Sequence, residues 1–141
     1  MSYNIMLMNQ DGEHRLVQIA PDRATTVTNL SASVNHQTVV DWPEHAAFTK
    51  TIEREIYLDN LLENQDNTSE QLIKSFLKAP LFNRKYKKAF GTIYTAMYQP
   101  KYHAIELIWH GIKLRQSFSA FKEGVTTIGY RDSSNRRSTY K

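Results

Sequence analysis

The hydrophobic pattern of this chain changes period twice, and that restricts its fold more than any other feature. Between Tyr3 and His36, apolar and β-branched residues fall in short runs of strand type. Between Pro43 and Ala79 they recur at three-and-four spacing, as on helices, and from Thr92 the strand pattern returns. "YNIMLM" (3–8) reads as a buried strand. "NQDGEH" carries Asp11-Gly12, a hairpin signal, and "RLVQIA" (15–20) reads as the partner strand. "PDRA" is a turn, and "TTVT" and "SASVNH" read as short strands rich in small and β-branched residues.

The middle of the chain predicts two helices. The first runs through "DWPEHAAFTKTIEREIYLDNLLEN", with Pro43 suited to a helix start. Phe48, Ile52 and Ile56 mark one of its faces, and Ala47, Arg54, Leu58 and Leu61 fall near another, which predicts a helix covered on more than one side. "NQDNTSEQ" is a polar loop in which Thr68 or Ser69 can cap the second helix, "EQLIKSFLKA", stopped by Pro80. "PLFNRKYKKAFG" reads as a loop. "TIYTAMYQP" and "YHAIELIWHG" form the clearest hairpin, with Ile93, Thr95 and Met97 on one side and Thr92, Tyr94, Ala96 and Tyr98 on the other, and "IKLRQSF" adds a strand. The order β-β-β-α-α-β-β-β is an antiparallel α+β plan, not a βαβ one. A single α+β domain is expected over residues 1–130, followed by a disordered basic tail over 131–141.

Composition narrows the chemistry. The chain has no cysteine, which excludes disulfides, thiolate metal sites and a cysteine nucleophile within it. No apolar run is long enough to span a bilayer, and "MSYNIMLMNQDGEHR" has neither the basic start nor the cleavage site of a signal peptide, so the expected location is the cytoplasm with no membrane contact. Charge is divided unevenly. Up to Asn83 there are 6 Lys/Arg against 11 Asp/Glu, and from Arg84 onward 12 against 3. Arg84, Lys85, Lys87 and Lys88 interleave with Tyr86 and Phe90, as on nucleic-acid surfaces, but a solvated loop with an aromatic anchor is the plainer reading.

Few residues carry candidate chemistry. His36, His45, His103 and His110 form neither HxH nor HExxH spacing, so no metal site is expected. No G-x-S-x-G elbow is present, and "QSFS" (116–119) lacks its glycines. Arg54, on a partly apolar face, either extends to water or points its guanidinium into a site. Asn35, at the end of a predicted small-residue strand, is of a type that is usually structural there. Its amide is also the kind of donor that stabilises a developing oxyanion in acyl transfer.

In their order, "SYNIMLMNQDGEHRLVQIAP", "SVNHQ", "TIEREIYLDNLL", "FGTIYTAMYQPKYHAIELIWHG" and "RQSFSAFKEGVTTIGY" give the chain a family likeness from about Ser2 to Tyr130. It resembles the C-terminal portion of the acyl-CoA:6-aminopenicillanate acyltransferase family, which is close to the choloylglycine hydrolases within the N-terminal-nucleophile hydrolase superfamily. The most specific piece is "GTIYTAMYQP…IELIWHG", which looks like the family's G-T-x-Y-T-x-x-Y strand and W-x-G strand end. The resemblance implies an αββα sandwich of two antiparallel sheets covered by helices. It also implies an N-terminal cysteine that attacks an amide or thioester carbonyl with its own α-amine as base. The family's oxyanion-hole Asn, in a T-N or T-N-H strand end, matches Asn35 in "VNH", and its helix Arg matches Arg54 less closely.

The departures matter as much. The sequence has Val34 where the family pattern has Thr, and family members are much longer, with the nucleophile well upstream of "SYNIMLM". The resemblance therefore implies a fragment or subunit without activity of its own. It implies no cofactor, and as partner an upstream nucleophile-bearing chain. Two other readings stay open: a free-standing α+β interaction domain that self-associates through an exposed sheet, and a nucleic-acid binder that uses Arg84, Lys85, Lys87 and Lys88.

Overall fold

A computed structural model describes residues 2–37 and 42–131. It is an α+β structure of three helices and three small antiparallel sheets. The chain packs as two compact units, Met1–Ser69 and Glu70–Lys141. The end of the predicted basic tail, residues 132–141, lies outside the described residues.

In the first unit, β1 (Tyr3–Met8) and β2 (His14–Ile19) pair with Ile5 opposite Val17 and Met8 opposite His14. The hairpin expected from Asp11-Gly12 forms, through five connecting residues. Asn9 organises them: its Oδ1 accepts from the backbone N–H of Asp11 and Glu13, and Gly12 supplies a φ of 88°. β3 (Thr26–Thr28) adds to β2, giving the order β1-β2-β3. Leu16 and Gln18 of the central strand are buried side by side on one face. Register puts Asn4 and Met6 on that face, opposite Gln18 and Leu16. The other face carries Tyr3, Ile5, Leu7, Ile19 and Val27, all exposed, so β1 is not the buried strand its composition predicts.

The predicted strand over "SASVNH" is absent: residues 31–37 are irregular. Their carbonyls find side-chain donors in place of a partner strand, as described below. The long helix predicted from Pro43 is broken into α1 (Pro43–Thr49) and α2 (Thr51–Glu63). Lys50 between them is left-handed, at φ 53° and ψ 39°. The Thr49 hydroxyl donates to the carbonyl of His45 at 2.7 Å, a back-bond that bends helices. The break sets Thr51 and Leu58 inward on α2, while Phe48, Ile52 and Ile56, expected as a covered face, are exposed.

In the second unit, α3 (Ser69–Ser75) leads through Phe82, which is buried, to the small ladder β4 (Arg84–Lys85) and β5 (Phe90–Gly91), joined by a 3-10 turn at Tyr86–Lys88. A side chain at position 91 would collide with the Tyr86 ring, which explains Gly91. β6 (Thr95–Gln99), β7 (Ala104–Trp109) and β8 (Ile112–Ser117) form the expected meander, with Thr95 and Met97 on one face and Ala96 and Tyr98 on the other. Ala104 and Ile108 are its buried centre. Trp109 Nε1 donates to the carbonyl of Ile93 at 2.8 Å, and the Tyr130 hydroxyl donates to the same oxygen at 2.7 Å.

Candidate functional site

The two residues singled out by sequence meet in the first unit. Arg54 Nη1 donates to Asn35 Oδ1 at 2.8 Å, across a separation of 19 residues. A guanidinium only donates, so this contact assigns the oxygen of the Asn35 amide to the Arg54 side and leaves Nδ2 as its outward donor. Asn35 is exposed, and its Nδ2 has no protein partner among the described residues. Arg54 is half-buried and pairs with no carboxylate among the described residues, and its Nε is buried without a partner. Burial draws its pKa below the ordinary arginine value, yet a guanidinium stays cationic at neutral pH. A neutral amide N–H thus stands beside a positive charge that no carboxylate among the described residues neutralises.

The segment carrying Asn35 is held from both sides. On the sheet side, Asn4 of β1 donates through Nδ2 to the carbonyls of Val34 and His36, at 2.7 and 2.8 Å. These two carbonyls flank Asn35, and an irregular segment has to satisfy such groups somewhere. Gln37, buried, donates through Nε2 to the carbonyls of Tyr3 and Ile19, the residues paired at the end of the β1–β2 ladder. On the helix side, His36 lies 3.0 Å by Nδ1 from the Thr51 hydroxyl and 3.2 Å by Nε2 from Glu55 Oε2. Thr51 and Glu55 are one turn apart on α2, flanking Arg54 on the same face.

Hydroxyl, imidazole and carboxylate in a row have the form of a nucleophilic triad. Thr51 is 0% exposed, however, so no substrate carbonyl can reach its oxygen. Sequence reasoning found Asn35 and Arg54 but missed Asn4, Gln37, Thr51 and Glu55. The one available signal was the spacing of Thr51, Arg54 and Glu55 on a helix face.

The other candidates lie apart from these residues. Within the second unit, Tyr86 of the basic segment donates its hydroxyl to the Thr92 carbonyl at 2.9 Å and packs 5.0 Å from the Tyr130 ring. A shallow, open depression lined by Leu7, Met8, Asn9, Glu13, His14 and Arg15 lies at the opposite end of β1 from Asn4. Among the described residues no group of three or more His, Asp or Glu is arranged to hold a metal ion, and no helix is long and apolar enough to cross a membrane.

The model of one protein family, acyl-coenzyme A:6-aminopenicillanic acid acyl-transferase, matches residues 1–113. The match takes in the whole of the first unit, including Asn4, Asn35, His36, Thr51, Arg54 and Glu55, and ends at the start of β8. "RQSFSAFKEGVTTIGY" lies beyond it. Comparison with curated proteins and with solved structures gives no significant match. A match over residues 1–113, most of the 141, leads to one conclusion: the chain belongs to the acyl-coenzyme A:6-aminopenicillanic acid acyl-transferase family.

Proposed function

We propose that this chain supplies the oxyanion-stabilising part of an amide hydrolase or acyltransferase of the N-terminal-nucleophile type, acting on linear, non-peptide C–N bonds. The observation that carries the reading is the Arg54–Asn35 contact, which leaves the Asn35 Nδ2–H without a partner among the described residues, beside the Arg54 guanidinium. When a nucleophile attacks a carbonyl carbon, the π pair moves onto oxygen. Asn35 would donate to that oxygen, and the Arg54 charge would favour it electrostatically. The tetrahedral intermediate then collapses, the C–N bond breaks, and the amine leaves with a proton from the catalytic base. Without a cysteine the chain provides no thiolate for the first step, so the nucleophile and its base come from a polypeptide outside this sequence and the chain alone is inactive. The αββα sandwich belongs to the same reading. Both three-stranded sheets carry an apolar face with exposed residues, Ile5 and Leu7 in one, Tyr98 and Ile112 in the other, and stacked sheets bury such faces.

The test is turnover of an acyl-CoA thioester and of a simple N-acyl amide. The purified chain alone is expected to give none, and turnover by it would refute the inactive reading. Addition of the cysteine-led segment of a family member is expected to give activity. Asn35→Ala should then lower kcat by about 100- to 1000-fold, the usual loss for one oxyanion donor. An unchanged kcat would remove Asn35 from the chemistry.

A second reading rests on a different observation. β1 is an edge strand, and Tyr3, Ile5, Leu7 and Met8 are all exposed on it. Edges of this kind invite pairing with another strand, and self-association would cover it. Light scattering coupled to size exclusion separates a dimer from a monomer.

A further inference from the structure

We propose that His36 is a positioning residue for the Asn35 amide, acting through Thr51 and Glu55. This rests on the reading of Asn35 as an oxyanion donor, but its structural content is independent of turnover. A carboxylate only accepts, so the 3.2 Å contact with Glu55 Oε2 places the ring proton on His36 Nε2. In the neutral ring Nδ1 is then the acceptor, and the Thr51 hydroxyl, 3.0 Å away, donates to it. Both ring nitrogens are engaged by one helix, and Thr51, with no exposed surface, gives the ring a fixed point.

The consequence falls on the neighbouring residue. Asn35 is exposed, and its own side chain has one described tether, Arg54. A single hydrogen bond to an exposed amide does not fix a donor to the 0.5 Å or so that transition-state stabilisation demands. The backbone beneath it is fixed instead. Asn4 holds the carbonyls on either side of Asn35 from the sheet, and the His36 ring holds the next residue to the helix that also bears Arg54. Thr51, Arg54 and Glu55 therefore register the backbone and the amide against one rigid element. The hydroxyl–imidazole–carboxylate row serves as a brace, and burial of Thr51 keeps it from serving as a nucleophile.

The experiment is side-chain amide relaxation by NMR on the full 141-residue chain. The Asn35 Nδ2 group is expected to be ordered in the wild type. In His36→Ala its order parameter should fall below about 0.6, the flexible range, while backbone amides of β1 and β2 keep their shifts. Glu55→Gln, which retains an acceptor for Nε2–H, should preserve the order, and Glu55→Leu should lose it. The imidazole nitrogen shifts of the wild type should report the Nε2–H tautomer. An Asn35 amide as ordered in His36→Ala and Glu55→Leu as in the wild type overturns the proposal, and so does an Nδ1–H tautomer. Should His36→Ala fail to fold, the Glu55 pair alone decides, because that side chain lies partly exposed on the helix surface. Turnover of Asn35→Ala tests the oxyanion reading by a separate measurement, so either idea can fail without the other.

Discussion

The two three-stranded sheets share a plan and differ in what their buried faces do. Both are antiparallel meanders with strands in sequence order. In β6–β8 the buried face holds Ala104 and Ile108, and its charged pair stays within the sheet: Arg115 lies directly opposite Glu106 and donates to it at 3.0 Å. In β1–β3 the corresponding face carries the amides of Asn4 and Gln18 beside Leu16, and the Asn4 amide reaches out of the sheet to the Val34–His36 segment. The difference teaches that a sheet can close a charged pair on itself, as Glu106 and Arg115 do, or turn a side-chain donor outward to hold an irregular segment, as Asn4 does.

The largest effect should come from breaking that outward reach. Asn4→Leu strips donors from two carbonyls, each costing about 1–3 kcal/mol if left unmade. We expect the first unit to lose about 2–4 kcal/mol in urea unfolding followed by its own amide signals, and the Arg54–Asn35 contact to be lost. A stable variant with an ordered Asn35 would show that the sheet does not hold the segment. The counterpart in the second unit is Gly91→Ala, whose new methyl meets the Tyr86 ring. It should cost about 1–3 kcal/mol, as overpacking does, with the Asn35 amide unaffected.

Smaller effects sharpen the contrast. Arg54→Lys keeps the charge but loses the planar fork. Stability should stay within about 0.5 kcal/mol while the Asn35 amide becomes mobile on the NMR timescale. Smallest is the acid response of His110. Desolvation lowers its pKa, helped by the Arg84 charge and opposed by a hydrogen bond that the ring donates to the Leu77 backbone. The folded form therefore takes up the proton later than the unfolded chain does. Its contribution to stability is present above the ordinary imidazole value of about 6.5 and is lost as pH falls through the lowered folded value. Denaturation midpoints of the second unit between pH 7.5 and 5, as an order-of-magnitude window around that value, should decline slightly, and His110→Gln should flatten the decline.

Much of this was legible in the sequence because it is local. Asp11-Gly12 marks a hairpin by backbone preference, and alternation marks another by the geometry of a strand, although its first strand begins at Thr95 and not at Thr92. Other expectations failed for non-local reasons. "SASVNH" has the composition of a strand, but its carbonyls are taken by the side chain of Asn4, 30 and more residues earlier. The helix from Pro43 has a continuous helical pattern. It breaks at Lys50, and Thr51, next after the break, is buried against His36. β1 looks buried because it is apolar, yet it lies at a sheet edge with its large side chains exposed.

The sequence by itself determined the succession of a strand region, a helical region and a second strand region, the absence of a thiol nucleophile and the family to which the chain belongs. Each depends on residue types and on spacings within one element. Only the tertiary structure decided that Asn35 and Arg54 touch, that Thr51 is too deeply buried to attack a substrate, and that Asn4 and Gln37 hold the segment between them. Hydrogen-bond partners far apart in the chain are chosen by where packing brings their backbones, and no local pattern carries that information.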